Sequence, residues 1–161
     1  MKISSRGQYG IRALVVLATR HGGGPTQVRE IARVEGLSAK YLEQLLGRLR
    51  TGGMVRSVRG ARGGYVLARS PEAITVREVL LLLEGSLAPV GCVDEGGTCG
   101  GATGHACVAH PVWSGLHATV LGYLDSFTLA DLVPAAAPAE AARPAAPAPV
   151  EDELLVAATG G

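Results

Sequence analysis

The sequence predicts a mainly α fold with a small β-hairpin: a winged helix-turn-helix domain followed by a long helix suited to dimerisation. Three features carry that reading. Apolar residues recur at helical spacing in separate stretches, two of them joined by a tight glycine-containing turn. A strand, glycine-rich turn and strand, MVRSVRGARGGYVLAR, comes directly after them. Charge is also segregated along the chain. Residues 1–70 hold thirteen Lys and Arg against Glu30, Glu35 and Glu43, a net of +10. Residues 71–161 hold Arg77 and Arg143 against eleven acids, a net of −9. The overall charge of +1 hides a basic half with the footprint of a polyanion binder.

The first helix is predicted from Ser4 to about Arg20, with Ile11, Leu14, Val15 and Ala18 on one face. HGGGP ends it. Thr26 is placed to cap a second helix that turns Val28, Ile31 and Ala32 inward. EGLS at 35–38 is a tight break: Gly36 suits a left-handed turn, Leu37 plugs the core and Ser38 caps the next helix. That helix, AKYLEQLLGRLR, has Leu42, Leu45, Leu46 and Leu49 on one side and Lys40, Glu43, Gln44 and Arg48 on the other. The hairpin after it reads as the wing. Its turn sets Arg59 and Arg62 among glycines, where they suit phosphates or a narrow minor groove. The turn lacks the Lys-Ser/Thr of a P-loop and opens no helix, which argues against a nucleotide site.

Next, SPEAITVREVLLLLEG is predicted as a largely buried helix. Thr75 and Glu78 form its capping box, Val79, Leu80, Leu82 and Leu83 its core, and Gly85 its stop. PVWSGLHATVLGYLDSF then spaces Trp113, Leu116, Val120, Leu124 and Phe127 at helical steps. Such a broad stripe either meets a second subunit or covers its own core. TLADLV reads as one more helical turn, with Thr128 and Asp131 as its capping pair. The expected organisation is a winged helix-turn-helix over 1–70 and a helix, loop (86–110) and dimerisation helix over 71–133. A disordered alanine–proline tail over 134–161 completes it, with EDELLV inside it reading as inert.

No segment offers the twenty or so apolar residues of a membrane span, and Arg12 and Arg20 break the only leader-like run. A cytoplasmic location is expected. No nucleophile–base pair or carboxylate dyad stands at credible spacing, so an enzyme is not expected. All three cysteines fall within CVDEGGTCGGATGHACVAH at 92–110. An odd number cannot all pair within one chain, and clustered cytosolic thiols point to metal or redox chemistry.

MKISSRGQYGIRAL, SAKYLEQLLGRLR, VRSVRGARGGYVLA and the three-cysteine loop together resemble the IscR/NsrR/CymR family of winged-helix transcription factors, over residues 1 to about 133. Within it the likeness is to the IscR type, the iron–sulfur cluster regulators. That resemblance implies a [2Fe–2S] cluster held by Cys92, Cys99, Cys107 and His110, the histidine standing three places after the last cysteine. The six- and seven-residue gaps between cysteines are wider than the usual pattern. His105 is a second candidate for the fourth ligand. A [4Fe–4S] cluster on the three cysteines, a zinc site and a thiol redox switch stay open as alternatives. Gly96, Gly97, Gly100, Gly101 and Gly104 would let the chain wrap such a centre.

The partner implied is double-stranded DNA, a roughly palindromic operator bound by a homodimer. Ser38, Lys40, Tyr41, Glu43, Gln44 and Arg48 on the third helix, with Arg59 and Arg62 on the wing, are the expected contacts. Gln44 can read adenine in bidentate fashion. The resemblance links Glu43 to discrimination between sites. An electron-transfer or cluster-carrier protein would use the cluster but has no need of the +10 half or the wing.

Overall fold

The structure is a computed structural model, and it describes residues 2–94, 97 and 107–134. Six helices and one two-stranded antiparallel sheet make the described fold. Helix α1 (Ser5–Ala18) begins at Ser4, whose hydroxyl accepts from the Gly7 amide. Helix α2 (Val28–Glu35) ends at Gly36, whose φ of 66° is the left-handed stop that the sequence requires. Helix α3 (Ala39–Thr51) starts at Ser38, whose Oγ accepts from the Tyr41 amide at 3.2 Å.

Strands β1 (Val55–Val58) and β2 (Gly64–Leu67) form the wing, with Val55 opposite Leu67 and Val58 opposite Gly64. The wing is also tied to the helices. Thr26 and Tyr65 exchange two backbone hydrogen bonds of 2.9 Å, a third short strand against β2. This corrects the expected role of Thr26. It is not the N-cap; it is 98% buried inside this bridge, and the N-cap position of α2 is Gln27, which makes no side-chain capping bond. It also gives Gly64 its reason. A Cβ there would stand 2.3 Å from the Thr26 carbonyl oxygen, so only glycine lets the two backbones pair.

The core is contiguous across α1, α2, α3, the wing and α4 (Val76–Glu84). Leu14, Ile31, Leu42, Leu46, Leu49, Val79 and Leu129 are fully enclosed in it. The capping box of Thr75 and Glu78 is present, and Gly85 at φ 85° ends α4. Leu82 departs from expectation: it is 37% exposed, because Val76, Val79, Leu80 and Leu83 occupy the inner face and Leu82 falls opposite them. Its side chain instead lies over Gly52, where a Cβ would come within 2.2 Å of it.

A 3-10 turn (Gly91–Val93) and helix α5 (His110–Asp125) follow, and they pack on each other. α5 also lies on α4 but buries none of its residues fully. Of the expected stripe, Trp113, Val120, Leu124 and Phe127 are half-buried, with His117 and Leu121 beside them, whereas Leu116 is 45% exposed and stands with Val112 and Tyr123, 64% and 65% exposed, as a second apolar group turned to solvent. Phe127 lies past the end of α5, with its ring edge-on to Tyr123 at 5.2 Å. Helix α6 (Leu129–Leu132) carries the expected Thr128–Asp131 capping box. Its start pairs with the start of α4: Val76 donates to the Phe127 carbonyl and Leu129 to that of Ile74, both at 2.9 Å. No helix among the described residues is long and apolar enough to cross a membrane. Tail residues 135–161 lie outside the described part.

Candidate nucleic-acid interface and metal centre

The α2–turn–α3 unit presents the outer side of α3 to solvent because its inner side is saturated. Leu42, Leu45, Leu46 and Leu49 are at most 2% exposed. Lys40, Glu43, Gln44 and Arg48, offset from those leucines, are exposed together on the outer side. Ser38 is exposed too, but its oxygen is engaged in capping, which leaves its proton for an outside acceptor. Tyr41 is half-buried, its ring edge-on to Tyr9 of α1 at 6.1 Å. It is thus held between the body of the domain and the surface. Arg59 and Arg62 are exposed at the wing turn. There Gly63 is forced, since a Cβ would meet the Val58 carbonyl oxygen at 2.3 Å.

The arginines sort into two groups. Arg12 pairs with Glu35, Arg20 with Glu30 at 2.6 Å, Arg69 with Glu78 at 3.0 Å and Arg77 with Asp125 at 3.0 Å. Among the described residues, Lys40, Arg48, Arg59 and Arg62 have no carboxylate partner. The four on α3 and the wing turn are left for an outside anion; Lys2, Arg6, Arg29, Arg33, Arg50 and Arg56 are likewise without a carboxylate partner among the described residues. Arg12 also stacks over the Tyr9 ring at 5.6 Å, so Glu35, Arg12, Tyr9 and Tyr41 form one chain of contacts from the turn to α3. Sequence spacing gave no sign of this chain, which joins three helices through side chains.

Of the predicted metal ligands, Cys92 lies on the 3-10 turn, half-buried. Cys107 is half-buried, and its carbonyl accepts from the His110 amide at 3.0 Å. His110 is half-buried at the first position of α5. Cys107 and His110 are therefore one turn apart, and the segment with Cys92 packs on the helix that His110 begins. Cys99 and His105 lie outside the described residues. Among the described residues no three His, Cys, Asp or Glu side chains are grouped closely enough to hold a metal, so Cys92 is not brought together with Cys107 and His110. What fits an iron–sulfur cluster is the donor chemistry, thiolate and imidazole, which such a cluster takes.

A helix-turn-helix with a paired wing, unneutralised cations on both and a cysteine-bearing segment beside it defines a winged-helix DNA-binding protein. Its relatives define the kind more closely. The sequence pattern of the Rrf2 family, described as an iron-dependent transcriptional regulator, matches residues 3–135. The chain belongs to that family and is a transcriptional regulator. It is 41% identical over 132 residues to the HTH-type transcriptional regulator CymR of Bacillus subtilis, covering 82% of this chain and 89% of that one. To the HTH-type transcriptional regulator IscR of Escherichia coli it is 37% identical over 133 residues, covering 83% and 80%. Among solved structures, CymR, titled the global cysteine regulator of B. subtilis, superposes with a TM-score of 0.71 at 40% identity, over 83% of this chain and 96% of that one. IscR of T. potens gives 0.69 at 40% identity, over 89% and 94%.

Proposed function

We propose that this regulator binds a roughly palindromic operator as a homodimer, and that a [2Fe–2S] cluster on Cys92, Cys99, Cys107 and His110 sets its choice of site. What supports the reading is the donor set: Cys107 and His110 stand one turn apart, with the His110 amide bonded to the Cys107 carbonyl, and the turn that bears Cys92 packs on α5. When bound, the cluster supplies redox and iron–sulfur sensitivity. The chain supplies the rest. The segment 86–110 joins α4 to α5, so holding its donors together constrains both helices. Lys40, Tyr41, Glu43, Gln44 and Ser38 meet the major groove, with Gln44 reading adenine and Glu43 rejecting some sequences. Arg48, Arg59 and Arg62 meet phosphates or the minor groove.

Anaerobic purification tests the metal. The expected product is coloured, with two irons and two sulfides per chain, as the cluster formula requires, and Cys92→Ala and Cys107→Ala lose both. Four irons per chain would favour the [4Fe–4S] form, and zinc alone a structural site. Colourless, metal-free protein that still selects its operators would remove the cluster from the account. A second reading, a metal-free regulator of cysteine supply, is favoured by the similarity to CymR and would survive that result.

A further inference from the structure

We infer that Glu84 is a positioning residue through which the cysteine-bearing segment sets the DNA-reading head; this rests on the proposed function above. Glu84 is the last residue of α4, and Gly85 and the 86–110 segment follow it directly. Its carboxylate does not serve its own helix. A negative charge at a helix C-terminus is unfavourable, since the carbonyl end of the dipole is already negative. Instead Oε1 reaches the far end of a different helix. It accepts from the Ser4 hydroxyl at 2.7 Å and from the Ser4 amide at 3.2 Å. Ser4 is the N-cap of α1, so the carboxylate rests on the positive end of that helix.

The joint is fitted, not incidental. Gly7, in the first turn of α1, faces it, and a Cβ there would lie 2.3 Å from Glu84 Oε1. Among the described residues no Lys, Arg or His pairs with Glu84, so the start of α1 is its partner.

α1 then connects onward. Two residues past Gly7 its Tyr9 ring meets Tyr41 of α3, and Arg12 bridges to Glu35 beside the turn. A change in how segment 86–110 holds the end of α4 therefore has a short route to the recognition helix: Glu84 to Ser4, α1, Tyr9 and Tyr41. Packing alone would also link α4 to α1, through Leu80 and Leu83. The distinguishing property of Glu84 is that it is both the residue nearest the segment and the one with directional bonds.

The test compares the DNA affinity of cluster-loaded and metal-free full-length protein as a ratio, in wild type, Glu84→Ala, Ser4→Ala and the double variant. Couplings between sites are typically worth fivefold or more. Glu84→Ala is expected to collapse the wild-type ratio by about fivefold or to unity. The double variant should match the single one, because both remove the same joint. Gly7→Ala, which displaces the carboxylate, should behave likewise. Amide exchange at residues 4–8 should slow on metal loading in wild type and not in Glu84→Ala.

A merely structural role would weaken both forms by the same factor and leave the ratio intact; that result overturns the inference. Should Glu84→Ala fail to melt cooperatively, Glu84→Gln carries the same comparison, with a weaker neutral acceptor in place of the charge. A wild-type ratio of one would instead sink the proposed cluster control, and with it this role.

Discussion

The DNA-reading head and the excursion from α4 through α5 are built to opposite standards of completeness. In the head, α1, α2, α3 and the wing close over side chains with no exposure at all, among them Leu14, Ile31, Leu42 and Leu46. What the head leaves unsatisfied is charge: exposed Lys40, Arg48, Arg59 and Arg62 have no carboxylate partner among the described residues. α5 is the reverse. Its neighbouring cation, Arg77, is paired with Asp125, but none of its sixteen residues is buried, and Val112, Leu116 and Tyr123 stand open. One region lacks an anion and the other lacks an apolar surface. The exposed α5 positions 112, 116, 119 and 123 step by four, three and four, the spacing of a seam between two helices. A polyanion answers the first region, and the homodimer proposed above would set a second copy of the chain against the second.

The largest expected effect breaks the second half of that contrast. Leu116→Asp with Tyr123→Asp places two charges on an outer face that one chain leaves exposed, so the isolated fold tolerates them. Association should fail, and the loss of two-headed binding should cost on the order of a hundredfold or more in operator affinity. Sedimentation measures the first and DNA titration the second. A double variant that stays dimeric would place the subunit contact elsewhere and leave α5 without an explanation for its surface.

The next effect sharpens the first half. Arg59→Ala should weaken DNA binding by about 1.5 kcal/mol, roughly tenfold, and lower the salt slope by about one. Arg20→Ala is the control. Its guanidinium is already held by Glu30, so it should leave both quantities nearly unchanged. Equal slopes in the two variants would mean that the division between paired and unpaired arginines has no bearing on phosphate contact.

The sequence was informative wherever a local rule decided the structure. Gly36, Ser38, the Thr75–Glu78 and Thr128–Asp131 boxes and the leucines of α3 all stand as spacing and capping chemistry require. It was misleading where a tertiary partner took the residue. Thr26 has the chemistry of a cap, but its backbone pairs with Tyr65, and no local pattern announces a strand one residue long. Leu82 reads as core in a run of four leucines, yet the helix can turn only one face inward. The stripe on α5 was legible as apolar, but not as two faces, because the division depends on where α4 and the Cys92 turn lie. Glu84 gave no signal at all, since its partner is eighty positions away.

The smallest expected effect concerns the base of the excursion. The chain leaves the head at Thr75 and returns at Thr128, and a bridge between these two residues closes that base. Asp131 takes part by accepting from the Thr128 hydroxyl at 2.7 Å and the Thr128 amide at 2.8 Å. The hydroxyl contact first, and the amide second, hold the Asp131 carboxyl below the usual 3.8 of an aspartate. A lowered value in the folded state means the bond stabilises the fold above the unfolded value, and the gain disappears as pH falls through the folded one. The gap in melting temperature between wild type and Asp131→Asn should therefore be small but present near neutrality, and close on acidification below the carboxylate range. The group is on the surface, so added salt should narrow the gap as well. A gap that ignores both pH and salt would show that the box holds by shape rather than charge. The base of the excursion would then be fixed by the fit of the box together with the Thr75–Thr128 backbone pairing, with no electrostatic share.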